Sequence, residues 1–119
     1  MSEAALKKIP GGVTAAKGFK AASTAAGIKY KDRKDMAMIY SEAPCRSAGT
    51  FTTNVVKAAP VKWDKNQVTG GAAAHAVVIN AGIANACTGE EGMAYCSRTA
   101  AAAAQVLGIP QESVLVAST

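Results

Sequence analysis

The apolar run Ala76-Val77-Val78-Ile79 opens directly into Asn80-Ala81-Gly82-Ile83-Ala84-Asn85-Ala86, and then into Cys87-Thr88-Gly89-Glu90-Glu91-Gly92. That order reads as a buried strand, a turn rich in glycine and asparagine, and the start of a helix. Such a junction restricts the chain to α/β architectures, in which strand ends and helix starts leave backbone groups free for ligands. A second strand-like run, Ser113-Val114-Leu115-Val116-Ala117-Ser118, lies directly before Thr119, the last residue of the sequence. A self-contained domain rarely ends on a hydrophobic strand. The expectation is therefore one piece of a larger folded unit, with residues 1–119 forming a single domain segment.

The helix after the turn is delimited from both sides. Thr88-Gly89-Glu90-Glu91 fits a capping box, in which the Thr88 hydroxyl and the Glu91 carboxylate each accept a backbone amide of the other residue. Glu90 and Glu91 also oppose the positive end of the helix dipole. Met93, Cys96, Ala100, Ala103 and Leu107 recur at helical spacing, and Gly108 with Pro110 supplies the stop. A helix over residues 89–107 spans about 28 Å at 1.5 Å per residue.

Upstream, Pro10-Gly11-Gly12 marks a turn, and residues 13–29 read as one or two strands broken near Gly18 and Gly27. Lys31 to Lys34 form a charged turn. Met36-Ala37-Met38-Ile39-Tyr40 is apolar on both faces, as in a strand covered on both sides, and ends by Pro44. Gly49-Thr50-Phe51-Thr52-Thr53 reads as a further strand running into Asn54. Pro60 opens a short helix that reaches Val68, with Gly70-Gly71 closing it.

Half of the residues are apolar but only 5% are aromatic, and alanine carries much of the apolar fraction. Small side chains allow close packing but bury little area each, at roughly 25 cal/mol per Å². A core of this kind is thin, which again points to a partner surface. The net charge is +5, with Lys17, Lys20, Lys29, Lys31, Arg33 and Lys34 concentrated early. Nucleic-acid binding would require aromatics interleaved with them, and only Phe19 and Tyr30 lie nearby. The basic residues read as a solvated face that can attract small anions, with no nucleic-acid partner expected. No apolar run approaches the roughly 20 residues that span a bilayer, so no membrane association is expected and the cytoplasm is the default.

Cys45, Cys87 and Cys96 lack metal-ligand spacing, and His75 is the one histidine, so neither a metal site nor a Cys-His nucleophile pair is supported. The turn at residues 80–86 is not a phosphate-binding loop, because it lacks Gly-Lys-Ser/Thr and two glutamates follow it. Asp32, Asp35 and Asp64 show no pairing that marks an acid/base couple, and no serine sits in a nucleophile elbow. Thr119 is notable for its place. A polar group leaving the end of a buried strand can donate to a developing oxyanion.

Four blocks in order, Gly11-Gly12-Val13-Thr14-Ala15, Phe51-Thr52-Thr53-Asn54 with Ala58-Ala59-Pro60-Val61, Ile79 through Gly89, and Val114 to Thr119, resemble the ornithine acetyltransferases. These are also called bifunctional glutamate N-acetyltransferases of arginine biosynthesis. The resemblance implies a layered αββα sandwich related to the N-terminal-nucleophile hydrolases, of which this chain supplies only the front part of the α chain. It implies a precursor that cuts itself, a second (β) chain that begins with the nucleophilic threonine, and an assembly of two α and two β chains. The implied reaction moves the acetyl group of N2-acetylornithine to glutamate, needs no cofactor, and in some members also accepts acetyl-CoA as donor.

Thr119 matches the threonine of the family's Thr-Gly oxyanion hole. The glycine, the nucleophile and the cleavage motif fall outside this sequence, and the substrate-binding residues are not assigned. The family commonly has Ser and Asn where Ala81 and Ile83 stand, which bears on substrate preference. Two alternatives remain at this stage. One is an amidohydrolase or aminopeptidase on a related self-processing fold, and the other is a non-catalytic binding module on the same scaffold.

Overall fold

A computed structural model describes residues 5–29, 31–82 and 89–119. Four strands form one sheet in the order β1 (Phe19–Thr24), β2 (Met36–Cys45), β3 (Ala74–Asn80) and β4 (Val114–Ser118). β2 runs antiparallel to both β1 and β3, whereas β4 runs parallel to β3. Two helices, α1 (Ala59–Thr69) and α2 (Gly89–Leu107), pack on each other and on β4. The mixed α/β architecture is the expected one, and α2 is the crossover that a parallel β3–β4 pair requires.

Register assigns the two faces of the sheet. Met38 pairs with Val78, and Val78 pairs with Val116, so these side chains point together toward the helices. Ala76, Val78 and Val114 meet Ala100, Ala103 and Ala104 of α2 in the main buried cluster, while Ala59, Cys96 and Val116 form a second. Trp63 of α1 packs against both clusters. Alanine at successive turns of α2 lets the helix lie close to the sheet, and one large ring fills the remaining space. Of the expected helix face, Cys96, Ala100 and Ala103 are buried, and Met93 and Leu107 pack at its margin.

The opposite face is apolar, and among the described residues no helix lies over it. Ala37, Ile39, Val77, Ile79, Leu115 and Ala117 lie there half-buried. The residues of Met36–Tyr40 are likewise only half-buried, so the expectation of a strand covered on both sides is met on one side alone. The described residues thus provide one helical layer and one sheet of a layered α/β fold.

Several sequence expectations need correction. Gly49–Thr53 is not a strand. The amide of Asn54 donates to Thr52 Oγ1 at 3.1 Å, and that of Val56 donates to Asn54 Oδ1 at 3.1 Å. These side chains satisfy the local backbone in turns, an alternative to a ladder that Thr and Asn readily offer. Residues 13–29 do contain a strand, one of the one or two expected, and it is preceded by a 3-10 turn at Val13–Ala15. Pro44 does not end β2 but lies where the pairing register shifts between Tyr40 and Cys45, a position that tolerates its missing amide. The capping residue Thr88 and the turn residues Ile83 to Ala86 lie outside the described residues.

Val114 is fully buried at the centre of the main cluster, whereas Val106 on α2 is 82% exposed. Val114→Ala should therefore cost about 2 kcal/mol, while Val106→Ala should stay within about 0.5 kcal/mol. Thermal unfolding of the two variants beside the parent checks the contrast.

Candidate functional site

The C-terminal ends of the parallel strands β3 and β4 meet at Asn80 and Ser118, which are paired in register. One residue further, the Thr119 amide donates to the Asn80 carbonyl at 2.9 Å. The ladder therefore continues past the last strand residue and takes up the Thr119 N–H. What Thr119 can offer a ligand is its hydroxyl, carried on an exposed residue at the sheet rim. Strand alternation turns that side chain away from the helices, to the face that bears Ile79 and Ala117. On the opposite face, which Val78 shares, the Asn80 side-chain oxygen is buried and accepts no hydrogen bond among the described residues, an arrangement that calls for a donor.

The loop between β1 and β2 is fastened to the same rim by Asp35. Its carboxylate accepts the amides of Ala26 at 2.6 Å and Ile28 at 2.8 Å. These bonds, the Ala26 amide foremost, hold the carboxyl below its ordinary value. The Asp35 carbonyl in turn accepts the Ala81 amide at 2.9 Å. Gly82 follows with φ +100, and a Cβ there would lie 2.9 Å from the Lys29 Cβ. The loop and the β3 exit thus touch at a point where only glycine fits. Of the two departures from the family pattern, Ala81 is half-buried in this joint and Ile83 lies outside the described residues.

The outer edge of β4 is held by α1. Trp63 Nε1–H donates to the Val114 carbonyl at 2.9 Å, and Asp64 Oδ1 accepts the Val116 amide at 2.9 Å. Burial raises the Asp64 carboxyl to about 6, against the lowering pull of the Val116 amide. The neighbouring Cys96 thiol is also raised, first by burial and then by the Asp64 charge. Sequence reading singled out neither Trp63 nor Asp64 as functional, because their partners lie 51 and 52 residues away.

His75, Ser41 and Cys45 are engaged elsewhere. His75 Nδ1 lies 2.9 Å from the Ser41 carbonyl, which can only accept, so that nitrogen carries the proton. The Ser41 hydroxyl donates to the Ala43 carbonyl, and the Cys45 thiol donates to Ser41 Oγ. His75 therefore meets the Ser41 backbone rather than its hydroxyl, and this group is not a nucleophile–base pair. Among the described residues no three His, Cys, Asp or Glu gather as metal ligands, and no described helix is long and apolar enough to cross a membrane.

The ArgJ family pattern matches residues 20–119. The chain belongs to the ArgJ family. It is 50% identical over 111 residues to the arginine biosynthesis bifunctional protein ArgJ of Gloeobacter violaceus, covering 93% of this chain and 27% of that protein. To ArgJ of Thermotoga neapolitana it is 51% identical over 105 residues, covering 87% and 26%. The chain thus spans about a quarter of the length of these curated ArgJ relatives. Two solved structures carry the same fold. The ArgJ protein of Bacillus halodurans superposes with a TM-score of 0.83 at 38% identity, over 91% of this chain and 56% of that one. The ornithine acetyltransferase of Mycobacterium tuberculosis, solved with ornithine bound, gives 0.80 at 44% identity, over 91% and 59%. The fold is therefore that of the ArgJ structures, of which this chain supplies a part.

The Asp64 carboxyl sets a pH dependence for this ArgJ-family chain. A carboxyl raised from 3.8 to about 6 in the folded state contributes stability below its unfolded value and loses it as pH rises through 6. Asp64→Asn cannot ionise and keeps an acceptor oxygen. Between about pH 5 and about pH 7.5 it should gain ~1 kcal/mol on the parent, with screening at a half-buried site allowed for. Thermal melts across that range check this, and pH curves of parent and variant that stay parallel would contradict it.

Proposed function

We propose that this chain is the front part of the α chain of an acetyltransferase that moves the acetyl group of N2-acetylornithine to glutamate. The observation that carries the reading is the match to the ArgJ pattern through Thr119, at a strand end where the structure leaves the Thr119 hydroxyl as the available donor. The names of the relatives as bifunctional arginine-biosynthesis proteins, and the ornithine complex of the Mycobacterium tuberculosis enzyme, support the substrate class.

The reaction is a double displacement. A threonine at the start of a second chain of the same precursor attacks the acetyl carbonyl through its oxygen. The carbon–nitrogen bond breaks, and ornithine leaves with the proton. The glutamate amine then attacks the acetyl-threonine ester, the carbon–oxygen bond breaks, and the threonine hydroxyl is restored. Each step passes through a tetrahedral oxyanion. The Thr119 hydroxyl stabilises it, because its strand position is fixed by the Asn80 carbonyl before any substrate arrives. The bare sheet face bearing Ile79, Leu115 and Ala117 is the surface against which the rest of the protein completes the site. The same reading carries an assembly of two α and two β chains, residence in the cytoplasm, no cofactor, and acetyl-CoA as a further donor to glutamate.

In the complete protein, Thr119→Ala should lower kcat by about 10²–10³ with little change in KM. Ornithine release from acetylornithine should accelerate when glutamate is added, as an acetyl acceptor requires. Release that ignores glutamate would instead indicate water as the acceptor.

A further inference from the structure

We propose that Trp63 and Asp64 are positioning residues for Thr119, acting through β4. Among the described residues β4 is hydrogen-bonded to another strand on one side only, so its outer groups would otherwise be open. In a parallel sheet, one residue of a neighbouring strand donates its N–H to the carbonyl preceding the residue it faces, and accepts the amide following that residue. Around Leu115 those two groups are the Val114 carbonyl and the Val116 amide. Trp63 Nε1–H meets the first at 2.9 Å and Asp64 Oδ1 meets the second at 2.9 Å. Two adjacent side chains of α1 thus stand in for one residue of a fifth strand.

This clasp does more than close an edge against foreign strands, for which a charge or a proline at the rim would suffice. It fixes β4 laterally three residues before Thr119, while the Thr119 amide is fixed to Asn80 from the inner side. The ring of Trp63 also packs against both buried clusters, so the clasp is referenced to the core rather than to a mobile surface. A half-buried carboxylate is a costly way to satisfy one amide, and such local costs concentrate where geometry serves function. The hydroxyl of Thr119 must stand within hydrogen-bond reach of a developing oxyanion. A displacement of about 1 Å can lower the rate on the order of 10²-fold.

The inference rests on the oxyanion role of Thr119, and its test separates the two. In the complete protein, Asp64→Leu, Asp64→Asn, Trp63→Phe and Thr119→Ala are compared by kcat per active site, with the sites counted from the acetyl-enzyme formed with acetylornithine. Asp64→Leu removes the acceptor and should lower kcat per site by at least ~10-fold with KM changed by less than ~3-fold. Asp64→Asn retains the acceptor oxygen and should recover most of that loss. Trp63→Phe retains most of the ring packing without the donor, and should show a smaller fall in kcat of the same kind. A purely structural clasp would reduce the number of active sites and the melting temperature, yet leave kcat per site within ~2-fold. That outcome, with Thr119→Ala impaired, overturns the positioning role alone. An unimpaired Thr119→Ala overturns the oxyanion reading, and the positioning role with it.

Discussion

The parallel pairing of β3 with β4 is the constraint on which the rest depends. It brings Asn80 and Ser118 to the same sheet rim and makes the Asn80 carbonyl the anchor of Thr119. A parallel pair cannot be closed by a tight turn, so the chain must cross over the sheet. α2 is that crossover, and its small-residue face sets how closely the helical layer approaches the strands. An edge strand in such a position is exposed on its outer side, and α1 supplies the groups that hold it. The sheet, the two helices and the loop carrying Asp35 thus converge on one rim.

The hydrogen-bonding at that rim narrows what Thr119 can do. Thr119 carries two donors, its amide and its hydroxyl, and the ladder takes the amide. Asp35 performs a parallel task on the neighbouring strand, drawing the β1–β2 loop to the β3 exit through both its carboxylate and its carbonyl. Neither device is a reactive group. Each fixes backbone at the rim, as a scaffold does for the loops and strand ends it carries.

Much of this was legible in the sequence where the signal is local. The α2 boundaries followed from acidic residues at its start and from Gly108, which has φ +68. The strands at residues 76–79 and 113–118 followed from β-branched runs, and α1 from Pro60 and the closing glycines. Gly49–Thr53 misled because β-branched and aromatic residues suit a strand only where a partner ladder exists, and here Thr52 and Asn54 bind their own backbone instead. The roles of Trp63 and Asp64 had no sequence signal, because each is defined by a β4 group more than fifty residues away. Asp35 was similarly opaque, since an aspartate in a basic loop reads as ordinary surface charge until its two amide partners are seen. The family blocks were legible, and the comparisons bear out the family they indicate.

The central claim is that this strand end belongs to an acetyl-transfer site completed by a second chain. The most direct measurement is the intact mass, under denaturing conditions, of each chain of the complete protein after brief exposure to N2-acetylornithine. The account predicts that a second chain beginning with threonine gains the mass of one acetyl group, that the chain carrying Thr119 gains none, and that glutamate removes the label. An acetyl group on the chain carrying Thr119, or ornithine release without any labelled chain, would contradict it.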